Sequence, residues 1–422
     1  MTNTDLTPFN LAEINVADDS NAFHKLQYGA LQRAKALELP SFEEEVWRYT
    51  QINDLDLSKY SIGAPGGEIH ARGLTADVVD VAAVLEVVNG KLVTSQINDP
   101  NVSIFTALDD ENLASGVGSV MTDAVDIFAE YNFALSTSPL VIRIARNSVV
   151  AKPIVIRHAT SESDFAWFPR VVVIAEENSE ATILEHQVST DVEALICPVT
   201  EITAGQSARL KYLTVQELGP RVWQLASQIS DIGRDAHVAV SHVAFGGGYA
   251  RARIDTRMVG SGATGDIGAV YFGRKDTTLD FRTFQKHDAP HTNSNLLFKG
   301  AVDDRSRAIY TGMIRIEPDA GDVVAYQTNR NLKLSDEAWA ESVPNLEIEN
   351  NDVKCSHASA VGPVDADQRF YLESRGVPSE VAEALVVRGF FAEVLEDLPI
   401  PSIGIKTLER ISELLSLEGV SL

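Results

Sequence analysis

The sequence predicts a mainly β protein in which a central β-solenoid has helical regions at its two ends. From about residue 138 to about residue 350, short runs alternate between apolar and polar side chains, the period of strands with one buried face. On either side of that range, apolar residues recur every three or four positions, the period of amphipathic helices. These changes divide the 422 residues into three regions, 1–135, 136–362 and 363–422.

The N-terminal region contains a predicted helix, a second helix start and a hairpin. The segment FHKLQYGALQRAKALELP ends at Pro40 and carries one apolar stripe, made of Phe23, Leu26, Ala30, Leu31, Ala34 and Leu37. SFEEEVWRYT, residues 41–50, begins with a serine and an acidic first turn, which predicts another helix start. Residues 60–135 are mixed, and Asn89-Gly90 there predicts a tight turn between two apolar runs.

The central region has regularly spaced turns. Clusters of small polar residues lie near residues 178, 204, 233, 261, 275, 290, 303 and 319, so the gaps are close to one or two units of 14–15 residues. Strands and turns at such spacing favour stacked coils, in which each coil buries its face on its neighbours. A β-sandwich or a barrel is the alternative that the spacing leaves open.

Helical periodicity returns after Gly362. The segment DQRFYLESRGVPSEVAEALVVRGFFAEVLEDLP predicts two helices separated by a break at residues 375–378, and IKTLERISELLSL predicts a last amphipathic helix. The apolar faces of these helices are wide for a terminal appendage. They are consistent either with a cap on the end of the solenoid or with a docking surface for another subunit.

Composition excludes several classes of partner. The formal charge of −25 disfavours nucleic acids and anionic membranes, because both require basic patches. Two cysteines are too few for a disulfide framework and are typical of a reducing cytosol. The polar, acidic N-terminus does not resemble a signal peptide, and no apolar run is long enough to span a membrane. We therefore expect a cytoplasmic protein.

The familiar catalytic motifs are absent from the sequence. There is no P-loop, so we expect no nucleotide to be bound or hydrolysed in that way, and there is no G-x-S-x-G, H-E-x-x-H or C-x-x-C. The glycine-rich stretches 246–248 and 260–265 are interpreted as coil turns. A β-helical polysaccharide lyase or hydrolase is one alternative function, but such enzymes need clustered charged residues on a solenoid face and are usually secreted.

The candidate metal ligands lie in the segment VKCSHASAVG. In a strand, Cys355 and His357 point to the same face, because side chains alternate with a period of two. Two side chains cannot complete a tetrahedral site, so a metal would need ligands from elsewhere in the fold or from another chain. The alternative for Cys355 is a small buried apolar side chain. Cys197 lies in an apolar strand and is expected to be buried.

His287 and His291 form a second pair of candidates. They lie four residues apart in the segment KHDAPHTNSN, and in a loop such a pair could bind a metal. No third ligand follows nearby. The alternative is a pair of turn residues with hydrogen-bonded imidazoles.

The chain resembles the SufB/SufD family of iron–sulfur cluster assembly scaffolds. The similarity is dense from residue 287 to about residue 394, and it covers APHTNSN, the long segment from KGAVDDRSRAIYTGM to VKCSHASAVG, and FYLESRGVPSEVAEALVVRGFFAEVLE. EEEVWRYT and FPRVVVIAEENSEATILE are also similar. The segment Lys354–His357 is similar to the SufD branch rather than to the SufB branch. Ala358, where glycine is usual, and Lys333, within a leucine-rich run, depart from the family pattern.

The resemblance implies a right-handed parallel β-helix with helical ends and a non-catalytic scaffold function. It implies a heterodimer with a SufB-type paralogue and a SufC-type ABC ATPase bound by the C-terminal helices. The sequence does not decide between a homodimer and another oligomeric state when the chain is alone. Nascent cluster assembly and iron acquisition would occur at the interface with SufB. There His357, and less strongly Cys355, would bind iron or a transient iron–sulfur cluster. A SufB-type subunit that accepts persulfide sulfur on a cysteine is the alternative within the family.

Overall fold

The structure, a computed structural model, describes residues 21–63, 73–106 and 116–415. The acidic N-terminal segment, for which no signal peptide is predicted, lies outside the described residues, as do the last two residues of the final predicted helix. The first strands are β1 Ser61–Ile62, β2 Ala83–Val88, β3 Lys91–Ile97, β4 Val102–Thr106, β5 Leu140–Ile144, β6 Ile154–Thr160, β7 Phe165–Trp167, β8 Arg170–Ala175, β9 Glu180–Ser189, β10 Ala194–Ile196 and β11 Val199–Ala204.

Longer strands follow through the rest of the central region. They are β12 Arg209–Glu217, β13 Val222–Ile232, β14 His237–Ala244, β15 Tyr249–Met258, β16 Thr264–Gly273, β17 Thr278–His287, β18 Asn293–Val302, β19 Arg307–Ile316, β20 Val323–Lys333, β21 Trp339–Ile348 and β22 Val353–Pro363. The α-helices of the described residues lie before and after them, with one among the early strands: α1 Ala22–Ala36, α2 Ile127–Leu135, α3 Ala366–Ser374, α4 Ser379–Glu396 and α5 Pro401–Leu414.

The strands form two facing sheets whose members alternate along the chain. Sheet A has the order β21-β19-β17-β15-β13-β11-β8-β5-β4, and sheet B has the order β22-β20-β18-β16-β14-β12-β9-β6-β2-β3. Successive coils pair in parallel, whereas β2 with β3 and β4 with β5 pair antiparallel. The predicted solenoid is therefore confirmed over the sandwich or barrel, as a parallel β-helix of about eight turns. The Asn89-Gly90 turn joins β2 to β3 as predicted.

In seven successive coils, one corner is fixed by a residue with a left-handed backbone. These residues recur every 27 to 31 positions, at Asn147, Asn178, Ser207, Asp235, Gly262, His291 and Asp322. Asparagine, aspartate and glycine tolerate positive φ best, which explains the polar turn clusters of the sequence. Each corner amide from Asn147 to His291 donates to a carbonyl of the next coil, so the corners stack as the strands do.

Apolar side chains from both sheets fill the inside of the solenoid. Within that core, aromatic rings pack edge to face toward the C-terminal coils, for example Phe298 with Phe281 and with Tyr310. A second core lies outside sheet A, where α1 and α2 pack, and a third lies outside sheet B under the C-terminal helices. The solenoid is thus covered along its sides.

The predicted first helix is confirmed as α1, which starts after Asn21, whose side chain accepts a hydrogen bond from the amide of Phe23. The predicted helix in SFEEEVWRYT is wrong. Ser41 and Glu44 do form the expected starting contacts, but only a short 3-10 turn, Glu45–Trp47, follows. The carbonyl of Val46, which a continuing helix would use, accepts hydrogen bonds from Arg251 and Arg282 instead.

The first two C-terminal helices begin where the sequence predicts, and the last begins at Pro401, four residues before the predicted segment. Gly376, with φ of +91°, ends the first of them, and α4 starts at Ser379 after Pro378. Helix α4 packs against the outer face of β16 and β18, and the buried Lys299 donates from Nζ to the carbonyl of Phe390 at 2.7 Å. None of the helices among the described residues has the length and apolar character needed to cross a membrane.

Candidate functional site

The C-terminal end of the solenoid has two unpaired strand edges. Among the strands of the described residues, β21 pairs only with β19 and β22 only with β20, so each is the last strand of its sheet. The C-terminal helices pack beside sheet B, with α4 on β16 and β18. Free edges of this length offer backbone hydrogen bonds to another chain, and stable monomers usually cover them.

Inward-facing side chains of the last coil are also exposed. Leu346 and Ile348 lie in register with Ile314 and Ile316 of the preceding coil, which are fully buried. Nevertheless, 37% of Leu346 and 41% of Ile348 is exposed, as is 41% of Val361 on β22. We call this surface, formed by β21, β22 and their inward-facing side chains, the open end. At this end the apolar core is exposed to solvent, at the position where a further coil would pack.

Cys355 lies at the inner edge of the open end. It is in register with Ala325 of β20 and packs, half-buried, against an apolar cluster that includes Ile314 and Val323. Burial raises the pKa of its thiol above the ordinary value, so the thiol is protonated at neutral pH. Because the thiolate is the metal-binding form, Cys355 is the poorer ligand of the pair in this environment.

His357 lies two residues further along the same strand, in register with the buried Gln327. Its ring is exposed and makes no side-chain hydrogen bond with any of the residues that the structure describes. Beneath it, the side-chain oxygen of Gln327 is buried without a hydrogen-bond partner among the described residues. A free imidazole is a suitable ligand for iron, and its orientation here is not fixed by a second hydrogen bond.

The open end does not form a complete metal site by itself. Among the described ranges, no group of three or more histidine, cysteine, aspartate or glutamate side chains is close enough to hold a metal ion. Cys355 and His357 form a pair on one face of β22, as the period of two predicts.

The second candidate pair is separated by the fold. His287 is buried inside the solenoid, where its Nδ1 and Nε2 contact the hydroxyl groups of Thr292 at 2.7 Å and Ser294 at 2.9 Å. Burial lowers the pKa of His287 to about 4, so the ring is neutral at pH 7. His291 is an exposed corner residue, and its Nδ1 lies 2.9 Å from the carboxylate of Asp322. Both imidazoles thus have hydrogen-bond partners, as the alternative interpretation predicts, but only His291 is a turn residue, since His287 is the last residue of β17.

Cys197 is buried near the other end of the solenoid. Its side chain is fully covered and lies in the core outside sheet A. Burial raises the pKa of this thiol well above its ordinary value. The prediction of a buried cysteine is confirmed, and such a thiol is inaccessible to reagents in the folded chain.

A second exposed surface lies on the C-terminal helices. Helix α3 has no buried residue, and 68% of Phe370 and 57% of Tyr371 is exposed. A groove separates α3 from α4 and is lined by apolar and charged side chains, including Leu372, Leu385 and Lys299. The wide apolar faces seen in the sequence are therefore only partly used for packing.

The sequence did not indicate Leu346 and Ile348 as surface residues. Their alternation with Asn345, Glu347 and Glu349 is that of any half-buried strand. Only their place in the last coil exposes them. Counting coils from the first corner would have identified β21 and β22 as terminal strands.

Fold and site together define a class of protein, a parallel β-helix whose open end presents strand edges, apolar side chains and an incomplete set of metal ligands. Comparison with known proteins identifies the family. Residues 157–390 match the family model described as "SUF system FeS cluster assembly, SufBD core domain".

Individual relatives agree with the family model. The chain is 28% identical to the iron–sulfur cluster assembly protein SufD of Escherichia coli over 393 residues, which cover 91% of each chain. It is 31% identical to SufD of Bacillus subtilis over 273 residues, covering 64% of this chain and 62% of that one. A SufBD family protein of Mycobacterium tuberculosis is 28% identical over 400 residues, covering 92% and 93%. The chain belongs to the SufBD family of iron–sulfur cluster assembly proteins.

Proposed function

We propose that this chain is a non-catalytic scaffold subunit that pairs through its open end with a SufB-type subunit. The observation that supports this most directly is the unfinished core of the last coil, where Leu346, Ile348 and Val361 are exposed beside free strand edges. A second chain that adds its strands to β21 and β22 would satisfy the backbone groups and bury the apolar side chains together. A partner with the same fold would have a matching open end, so the strand edges of the two ends would pair with each other.

His357 supplies a metal ligand to that interface. Its free imidazole lies on the face that a partner would cover, and the ligand set is incomplete within this chain. The partner would provide the remaining ligands, for which a thiolate is the usual choice in iron–sulfur chemistry. Iron or a transient cluster is thus the cargo of the interface. Cys355 is a weaker ligand, because burial favours its protonated thiol.

Reconstitution of the complex tests the role of His357. The chain is co-expressed with SufB-type and SufC-type partners, and iron and acid-labile sulfide are measured per complex for wild type and His357→Ala. We expect the complex to form in both and bound iron to fall about tenfold or more in the variant, since even outer-shell partners of metal ligands contribute that much to affinity. His291→Ala, which removes an exposed corner histidine, is the matched control.

The outcomes separate the candidate roles. Equal iron and sulfide in wild type and His357→Ala would show that the histidine is not a ligand. Loss of sulfide in Cys355→Ser, with His357→Ala unaffected, would favour the persulfide-accepting alternative. A complex that does not form with wild type would contradict the scaffold function, and a carbohydrate-cleavage assay would then test the β-helical enzyme.

The C-terminal helices are the proposed docking site for a SufC-type ATPase. The exposed rings of Phe370 and Tyr371 beside the groove between α3 and α4 support this assignment. Phe370→Asp places a charge in that surface, and we expect it to weaken ATPase binding by ~30-fold or more, as for a central interface residue. Isothermal titration calorimetry measures the affinity. Tyr28→Asp, on the exposed side of α1, should leave it unchanged, and an unaffected Phe370→Asp variant would place the ATPase elsewhere.

A further inference from the structure

A groove with a positive lining lies on the outer face of sheet A, away from the C-terminal helices and on the outward side of β21. One wall is the N-terminal segment around the 3-10 turn, and the other is formed by β17, β19 and β21. We call it the arginine groove, and its polar lining consists of Glu45, Arg48, Tyr49, Arg282, Thr283, Thr311 and Asn345. Phe284, Met313 and Val343 contribute apolar surface.

The two arginines of the groove lack carboxylate partners. Their neighbours on β15 are paired, since Arg251 lies 2.9 Å from Asp280 and Arg253 lies 2.9 Å from Asp255. By contrast, Arg48 and Arg282 form no ion pair with any carboxylate that the structure describes. In a chain of net charge −25, two unpaired guanidinium groups in one groove are unexpected.

Arg282 is partly desolvated as well as unpaired. Its Nη1 donates to the carbonyl of Val46 at 3.0 Å, but its Nε is buried and has no hydrogen-bond partner among the described residues. The ring of Phe284 lies against it, with Arg253 over the same ring. A buried donor of a charged group without an acceptor costs free energy, which an incoming acceptor would recover.

The local charges also favour an anion. Burial, together with the positive charges of Arg251 and Arg253, lowers the pKa of Arg282 to about 10. Arg282 is still cationic at neutral pH, so the groove is a region of positive potential. Asp280 and Asp255 also lie near Arg282, but they are paired with Arg251 and Arg253. Within the lining, Glu45 is the opposing charge, and it is exposed. Two cations and one carboxylate leave the lining with a net positive charge.

We propose that the arginine groove binds a small oxyanion, a phosphate or a carboxylate group, held by the guanidinium groups of Arg48 and Arg282. Guanidinium groups pair with both kinds of oxyanion through two parallel hydrogen bonds. The hydroxyl groups of Tyr49 and Thr311 supply further donors at the same groove. This site shares β21 with the open end but uses the opposite face of that strand, since Val343 and Asn345 alternate with the inward-facing Leu346 and Ile348. It requires no iron.

Titration of the full-length chain with inorganic phosphate tests the proposal. Binding is followed by the line width of the phosphate ³¹P resonance at constant ionic strength in chloride, so that general salt effects are matched. We expect saturable binding to wild type. Arg48→Gln and Arg282→Gln should each weaken it ~10-fold or more, because each removes charged hydrogen bonds.

Three controls make the result specific. Glu45→Gln should strengthen phosphate binding, since it removes the opposing charge. Arg305→Gln removes an exposed arginine that is paired with Asp276, and it should change nothing. If Arg282→Gln does not fold, as judged by circular dichroism, Arg48→Gln still tests the site, because Arg48 is exposed.

Succinate distinguishes the two sources of the oxyanion. Displacement of phosphate by succinate at a lower concentration than that of phosphate would assign a carboxylate ligand, and displacement only at a higher concentration would assign a phosphate ligand. The proposal is overturned if wild type binds neither anion saturably. It is equally overturned if Arg48→Gln and Arg282→Gln bind phosphate as wild type does.

Discussion

Replacing Glu201 by alanine should lower the free energy of unfolding by about 3–5 kcal/mol, the cost of breaking a buried ion pair from one side. Glu201 is fully buried and accepts hydrogen bonds from Arg170 at 2.7 and 3.0 Å. It also accepts from the amides of Gly118, Val120 and Met121. The variant leaves the buried guanidinium and three amides without these acceptors. Chemical denaturation at pH 7, followed by circular dichroism, measures the change.

A surface ion pair provides the matched control. Arg146 lies 2.6 Å from Glu177, and both side chains are largely exposed. Glu177→Ala should change the free energy of unfolding by less than about 1 kcal/mol, because water screens such pairs. A change below 1 kcal/mol for Glu201→Ala as well would mean that water or a rearranged carboxylate replaces Glu201, and that the pair does not hold residues 118–121 on the solenoid.

The second large effect concerns the open end. The double variant Leu346→Asp/Ile348→Asp should weaken pairing with a SufB-type subunit by about 100-fold or more, since it puts two charges where the proposed interface buries apolar side chains. The folded chain itself should lose little stability, because both side chains are already more than one-third exposed. Sedimentation velocity of the mixed subunits measures the affinity.

Val149→Asp is the control for this variant, because Val149 is 65% exposed and lies in an early coil. It should pair as wild type does. If the chain forms a homodimer when it is alone, the double variant should also be monomeric, since the same open end would be used. A double variant that still pairs normally would place the interface on another part of the molecule.

Much of the fold could be predicted from the sequence because its determinants are local. The corners require residues that tolerate positive φ, such as Asn178 and Asp235, and these interrupt apolar alternation at regular intervals. Likewise, Gly376 and Pro378 end one helix and begin the next through contacts within a few residues. Stacking then follows, because a single coil cannot bury its own apolar face.

Features that depend on distant residues were not predictable in this way. The segment after Ser41 has a good helix start, yet the carbonyl of Val46 is used by Arg251 and Arg282, more than 200 residues away. The local sequence does not show that these distant arginines compete with a helix for the carbonyl of Val46. For the same reason, the sequence could not indicate the arginine groove, which joins the N-terminal segment to strands of the last coils.

The candidate site was predictable in its geometry rather than in its role. The period of two placed Cys355 and His357 on one face, and the register with Ala325 and Gln327 agrees. The different exposure of the two side chains depends on what covers the last coil, which the local sequence does not record. Their binding of iron is still a prediction, and the reconstitution with His357→Ala tests it.

The number of coils also sets distances across an assembly. Sheet B contains eight parallel strands from β6 to β22, namely β6, β9, β12, β14, β16, β18, β20 and β22. At about 4.8 Å per strand, this ladder is about 34 Å long, and α4 on β18 lies about 10 Å from the free edge. If two chains join at their open ends, the separation of their helical regions is therefore a multiple of the strand spacing. If one coil beyond β18 were lost, each helical region would lie about 5 Å nearer the joint. The strands and corners on either side of the lost coil would then pair with each other. If partners must keep this separation, we expect their chain lengths to differ at the corners, because residues added there leave the strand spacing unchanged.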